Sequence, residues 1–462
     1  MAAKDLRQGD EVEALCADLD DLGAAVAEFP SGGQMLRVHV AGALSGERVR
    51  ARIAHVSVHA RDAGREAWAD LVSVLEPSPD RVAAPCPSHG PCGGCDLMSL
   101  AYPAQLEAKR RRVLAQLSRH PSLAQLPVDA CVASPATTAY RNQAKYVYGR
   151  ADESGRPVLG AFAPHSHRLI DLAGCCVVEP VLDDVRRKLL AALLGGNVEP
   201  FDEQRRTGAL RYVVMRATCA RQVMVTLVTA RAVWPEAQSV AQALAAACPA
   251  VVSVVLNVNE SAGNAIFGKE ERLLWGQAAV EDRIGAVSVR LVSRSFFQSN
   301  RWVASSIYRD LVAAAPARVA RAVDVYSGAA PIALCLAAIS GEVVAIEENP
   351  AAAMAAASFI AEQAGVAGRV RMVTGDAARC LADVEAADLV VLNPPRKGCA
   401  GPVLQAILRL RPRTLAYLSC DPRTLARDLD VLVAGAARIA RIAPYDMMPG
   451  TPHVETLAIL TF

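Results

Sequence analysis

The 462-residue sequence predicts an α/β protein in three parts: an N-terminal all-β barrel, a central α+β region and a C-terminal doubly wound sheet. Three observations predict it. From about residue 290, short apolar runs alternate with helical segments, the pattern of a parallel sheet covered on both faces. Between about residues 7 and 76, apolar residues alternate in period two, separated by Gly, Ser and Asp turns. With 52% hydrophobic residues, a chain of this length can fill roughly two to four cores.

Taken in order, "QMLRVHV", "ERVRARIAHVSVHA" and "AWADLVSVLE" are the strands of a small OB-like barrel over residues 1–80. "EPSPDRVAAPCP" is a Pro-rich joint. "YPAQLEAKRRRVLAQLSRH" has helical apolar spacing and stops near Pro121. The central region, residues 81–290, mixes strands ("RNQAKYVYGR", "LRYVVMRA", "QVMVTLVTA", "VVSVVLNV") with helices ("LDDVRRKLLAALLG", "WPEAQSVAQALAAA"). Over residues 291–462, "AVDVYSG", "GEVVAIEENP", "RVRMVTGD", "DLVVLNPP", "TLAYLSC" and "VETLAILTF" are continuous apolar strands expected to run parallel.

A net charge of +2 leaves any nucleic-acid site to a local patch. One basic run stands out, Lys109 to Arg112 with Arg119, in a pattern that ordinarily marks a solvated helix face. The uncharged stretch Ala237 to Asn259 reads as an Ala-rich helix and a strand, so no membrane span is expected. The charged start offers no export signal, and the expected location is the cytoplasm, with reduced thiols. Of 13 cysteines most read as small buried hydrophobes, but Cys86, Cys92 and Cys95 form C-x5-C-x2-C, which points to a metal rather than a disulfide.

Ligands of doubly wound sheets bind beyond the carboxyl ends of the strands. There stand Asp324, Tyr326, Ser327 and Gly328, then Glu347 and Glu348, then Asp376, then Asn393 in "NPPRKG". A carboxylate closing the second strand suits a ribose. The first loop lacks a full G-x-G-x-x-G, which suits a nucleoside cofactor without pyrophosphate, such as S-adenosylmethionine. Each loop alone reads as an ordinary turn; their order at successive strand ends makes a site. The fifth strand ends in Cys420 of "YLSCDPRTLARDL", a thiol expected to be activated by the following helix N-terminus or by Arg423. "MMPGTPHVE" brings His453 and Glu455, candidate bases, before the last strand.

With "SFFQSN", "DVYSG", "NPPRKG", "YLSCDPRTLARDL" and "MMPGTPHVE", the chain resembles the S-adenosylmethionine-dependent uracil-C5 RNA methyltransferases of the TrmA/RlmC/RlmD group over nearly its whole length. "VHVAGALSGERVRARI" is similar to the TRAM barrel of some members, and the layout to the RlmD-like ones. The resemblance implies a Rossmann-like methyltransferase domain, Cys420 as a nucleophile adding to C6 of uracil, and Glu455 as the base that removes the C5 proton. It implies Gln298, Tyr326, Glu347, Asp376 and Asn393 as residues lining the cofactor and site. It implies a [4Fe-4S] cluster on Cys86, Cys92, Cys95 and Cys175, with Cys176 as the adjacent competitor and a four-cysteine zinc site as the alternative. The expected partner is RNA, ribosomal rather than transfer, bound by a monomer, with phosphate contacts from the barrel and the Lys109–Arg112 helix. Three departures from the family pattern are "SGAAP" for a glycine-richer loop, Asn393 for Asp, and Asp421 for Asn beside the nucleophile, which would raise its pKa. An attenuated or non-catalytic RNA-binding homologue, a tRNA uracil-C5 methyltransferase and, on "NPP", a nitrogen methyltransferase are the alternative readings.

Overall fold

Period-two alternation decides the first sheet. In β5, "RVRARIAHV", Val49, Ala51 and Ile53 are buried while Arg48, Arg50 and Arg52 face out. The computed structural model describes residues 6–462 except 32, 33, 58–64, 152, 153, 165, 262 and 264. The end of the predicted strand at 58–60 lies outside the described residues. The sheet comprises β1 (Glu11–Leu15), β2 (Asp18–Leu19), β3 (Ala25–Ser31), β4 (Gln34–Ala41), β5 (Arg48–Val56) and β6 (Arg65–Glu76), in the order β1-β5-β6-β4-β3-β2. It curls round one small core that includes Ala14, Ala27, Val38, Val40, Val49 and Ile53. The outward arginines pair with Glu11, Glu13 and Glu76, so this face carries balanced charge.

Helix α1 (Tyr102–Leu117) follows the cysteine segment. A second sheet then forms from β7 (Gln143–Arg150), β8 (Pro157–Phe162), β9 (Leu169–Asp171), β10 (Leu210–Ala217), β11 (Val223–Thr229), β12 (Val251–Val258) and β13 (Glu270–Gly276), ordered β13-β12-β11-β10-β7-β8-β9. Helices α2 (Pro180–Gly195) and α3 (Ala237–Ala247) bury their apolar stripes, Leu182, Leu189, Val240 and Leu244 among them, with Val213, Val225 and Val254 of the sheet. A hairpin of β14 (Val280–Ile284) and β15 (Val287–Leu291) leads to α4 (Arg301–Ala313), whose N-cap Asn300 accepts from the Val303 N–H.

The third sheet alternates β16 (Val319–Val325), α5 (Pro331–Leu336), β17 (Ser340–Glu347), α6 (Pro350–Glu362), β18 (Val370–Thr374), α7 (Ala377–Ala382), β19 (Leu389–Leu392), α8 (Gly401–Leu410), β20 (Thr414–Ser419), α9 (Pro422–Ala434), β21 (Arg438–Tyr445) and β22 (Glu455–Thr461). Its order is β18-β17-β16-β19-β20-β22-β21. The order reverses between β16 and β19, the crevice where open α/β sheets bind ligands. The Rossmann-like fold class is as expected, with one correction: β22 runs antiparallel to both neighbours. Residues 446–454 join β21 to β22 without the crossover helix that a parallel connection requires. Helix α1 packs on this unit: Val113 and Leu117 share a core with Tyr417, Leu425 and Leu429. Among the described residues no helix is long and apolar enough to cross a membrane.

Candidate active site

The antiparallel insertion of β22 builds the centre of the site. Ser419 pairs with Thr456, so the next residue of each strand end, Cys420 and Glu455, come together at the ligand edge. A cavity of about 240 Å³ opens there, lined by Cys420, Arg396, Arg423, Arg112, His453 and the barrel residues Asp21 and Leu22, among others. Glu455 is buried, and burial raises its carboxyl to about 7 against the pull of Arg396. Burial pushes the Cys420 thiol up to about 11; the charge of Glu455 adds to the rise, Arg396 opposes it, and Asp421 adds a smaller push. The expected activation, by the N-terminus of α9 or by Arg423, is therefore corrected: the thiol is raised rather than lowered. Arg423 lies on the exposed side, 3.7 Å from Asp421, and the arginine that acts on the thiol is Arg396 of "NPPRKG". Burial, then Arg396 and Arg112, lower His453 to about 4, which leaves its imidazole neutral at neutral pH. Asp421 caps α9, accepting from the Arg423 and Thr424 N–H groups, a role that Asn fills equally well.

At the crevice between β16 and β19, Gln298, Tyr326 and Asn393 line one small cavity of about 20 Å³ with Phe296, Ser327 and Gly328. Tyr326 has φ 64°, a left-handed turn that swings the chain out of β16. Ala330 (φ 61°) holds a second left-handed position where the glycine of a richer loop would be unstrained. Glu347 stands at the end of β17 with both carboxylate oxygens engaged, by the N–H of Gly328 at 2.8 Å and of Asn349 at 2.8 Å. Asp376 caps α7 by accepting from the Arg379 N–H at 3.0 Å. These two carboxylates frame the same sheet edge without lining that small cavity.

Cys86, Cys92, Cys95 and Cys175 line one cavity of about 160 Å³ between the barrel and the second sheet; Cys176 does not line it. Burial raises the Cys92 and Cys95 thiols, Cys95 to about 12, and the neighbouring cysteines add to it. Among the described residues no group of three or more His, Cys, Asp or Glu side chains is arranged to hold a metal ion. This segment is fastened to the loop that delivers Glu455. The Leu97 N–H donates to the Gly450 carbonyl at 2.9 Å, and the Gly450 N–H donates to Gln105 Oε1 at 2.8 Å.

The basic helix closes the fastening. Lys109 is fully buried, ion-paired with Asp446, and donates to the Met448 carbonyl at 3.0 Å. Arg112 donates to the Pro452 carbonyl at 2.6 Å. Lys109 is thus corrected from RNA contact to internal strut, because a carboxylate 337 residues away takes its charge. Sequence reasoning also left Arg396 without a role, although its motif was in view, and gave no sign that Asp21 and Leu22 reach the Cys420 cavity.

Residues 188–461 match the family model described as tRNA (Uracil-5-)-methyltransferase. An uncharacterized RNA methyltransferase of Geobacter sulfurreducens is 36% identical, over 98% of this chain and 90% of its own. One from Halalkalibacterium halodurans is 34% identical, over 98% of both chains. Among solved structures, the Pyrococcus abyssi tRNA (uracil-54, C5)-methyltransferase, in complex with S-adenosyl-L-homocysteine, has the same fold. It superposes with a TM-score of 0.75 at 23% identity, over 97% of this chain and 100% of that one. A match that takes in both strand ends of the Cys420–Glu455 centre, and relatives aligned along almost the full length, establish that the chain belongs to the RNA (uracil-5-)-methyltransferase family.

Proposed function

We propose that the protein transfers a methyl group from S-adenosylmethionine to C5 of a uridine in structured RNA through a covalent adduct on Cys420. The observation that carries this reading is the β20–β22 register, which sets the buried carboxyl of Glu455 at the strand end beside Cys420, whose thiol lines an arginine-rich cavity. C5 of uracil is a poor nucleophile. Cys420, as thiolate, forms the S–C6 bond, and the displaced electron pair moves onto the C4 oxygen as an enolate. C5 then takes the methyl group as the sulfonium C–S bond breaks. Glu455 accepts the C5 proton, the C5–C6 double bond re-forms, and the thiolate leaves. Arg396 faces both groups and offsets their negative charge.

Gln298, Tyr326, Glu347, Asp376 and Asn393 are assigned to the S-adenosylmethionine site at the sheet edge. Residues 1–80 are assigned as a TRAM barrel, 81–290 as the central domain with the cluster segment and 291–462 as the methyltransferase domain. The substrate is assigned as 23S ribosomal RNA, on the barrel-plus-cysteine layout. Four cysteines line one cavity, the donor number of a [4Fe-4S] cluster, although their side chains are not grouped as metal ligands in this structure. Held by Cys86, Cys92, Cys95 and Cys175, such a cluster would supply a structural knot between barrel and second sheet.

The test is 5-fluorouridine RNA, from which no proton can leave C5 after methyl transfer. A protein–RNA adduct resistant to denaturing electrophoresis is expected, and it should vanish in Cys420→Ala. Methylation by Cys420→Ala near the wild-type rate would overturn the covalent reading. Mapping 5-methyluridine in RNA from a deletion strain tests the substrate; its loss from tRNA with 23S rRNA intact would overturn the ribosomal assignment.

A further inference from the structure

Most residues round the Cys420 cavity are polar, yet one of them is an exposed leucine from the far end of the chain. Leu22 is 66% exposed and lines the cavity together with Cys420, Arg396 and Arg423. It sits at the tip of the turn between β2 and β3. That turn is rigid: the Asp20 carboxylate accepts from the N–H of Leu22 at 2.8 Å and of Ala24 at 2.9 Å, and its other oxygen meets His39 Nδ1 at 2.7 Å. Asp21 anchors the tip to helix α1, accepting from Arg112 Nε and Gln116 Nε2, each at 3.3 Å. Gly23 (φ 88°) packs so closely that a Cβ would lie 3.3 Å from Leu97 and 3.4 Å from Pro452. The barrel tip, the cysteine segment and the loop before Glu455 therefore meet at the mouth of the site. An apolar side chain on a braced tip, left in solvent beside a nucleophile and flanked by cations, needs a reason.

We propose that Leu22 is the wedge that fills the gap left in the RNA stack when the target uridine turns out into the Cys420 cavity. The proposal rests on the uracil-C5 reading above. A uridine must leave its stack to reach the thiol, and apolar side chains that enter the vacated step hold it open. Leu22 is placed to do so, with the exposed guanidinium of Arg423 on the same cavity wall to meet a flanking phosphate. The barrel is then a working part of the catalytic mouth as well as an RNA-binding module. Leu22 touches the substrate's neighbours, so it acts after binding, on the step that exposes the base.

The experiment measures methylation of folded, unmodified RNA from a deletion strain by Leu22→Ala, Leu22→Met and wild type, with S-adenosylmethionine affinity measured alongside. Leu22→Ala should lower kcat about tenfold with KM changed less than about threefold, cofactor affinity unchanged and Leu22→Met close to wild type. A Leu22→Ala kcat within about twofold of wild type, a loss confined to KM, or failure of Leu22→Met to restore the rate would each overturn the wedge. Failure of the underlying reading is seen separately: wild-type protein would then form no adduct with 5-fluorouridine RNA. A normal adduct combined with an unaffected Leu22→Ala rate sinks the wedge alone.

Discussion

Glu455 holds its proton to about 7 when folded and, at an ordinary carboxyl value of 4.5, would release it earlier when unfolded. The folded state binds more protons between those values, so its stability falls as pH rises through that window. Glu455→Gln escapes this loss. It should be more stable than wild type by on the order of 3 kcal/mol above about pH 8, with little difference below about pH 4. Urea denaturation across that range checks it; a pH-independent difference would show that the carboxyl is not perturbed. The same variant should accumulate adduct on ordinary uridine, since addition and methylation precede the step that needs the base. Wild-type turnover should rise as pH passes through about 7, a limb that Glu455→Gln lacks. At the neighbouring strand end, Asp421→Asn should keep the α9 cap and hold stability within about 0.5 kcal/mol, whereas Asp421→Ala should cost about 1 kcal/mol in thermal melts.

Between the elements, the fastening of α1 to the 446–453 loop is the decisive contact. Lys109 and Asp446 are both fully buried. Lys109→Met leaves a carboxylate without its partner and should destabilise by about 3–5 kcal/mol, while Lys109→Met with Asp446→Leu should recover much of that. Equal stabilities of single and double variants, by denaturant unfolding, would contradict the pairing. This contact also shows where sequence reading stops. Six of the seven strands of the third sheet were legible as apolar runs bounded by turns. The Cys420 and Glu455 positions were legible because both stand at strand ends. Lys109 was not, since inside "KRRR" it has the look of a solvated charge, and only a residue 337 positions away makes it internal. β21, "RIARIAPY", was passed over because Arg438, Arg441 and Pro444 interrupt its apolar run. Its place at the sheet edge tolerates all three. The barrel's place at the Cys420 cavity was invisible for the same reason as Lys109: it depends on docking, and local pattern carries no record of docking.

On the scale of the whole molecule, the four-cysteine cavity, the 446–453 loop and the barrel tip form one continuous junction. Protein purified without oxygen should therefore be brown, with iron and sulfide at about four each per chain. Cys86→Ser, Cys92→Ser, Cys95→Ser or Cys175→Ser should bleach it and lower the melting temperature. One zinc without sulfide, or bleaching by Cys176→Ser but not Cys175→Ser, would overturn the assignment of metal or of fourth ligand. Because Leu97 is tied to Gly450, loss of the knot should also slow methylation, although no cysteine of the junction takes part in it.

The strand that carries Glu455 is the last in sequence among the described elements, yet it lies between β20 and β21 rather than at the rim. The contacts that steady the loop before it span 337 and 345 residues. Each such contact closes a long loop at an entropic cost. A strand with a neighbour on each side holds Glu455 by two ladders at once, so displacing it would part β20 from β21 and carry Glu455 away from Cys420 in the same movement.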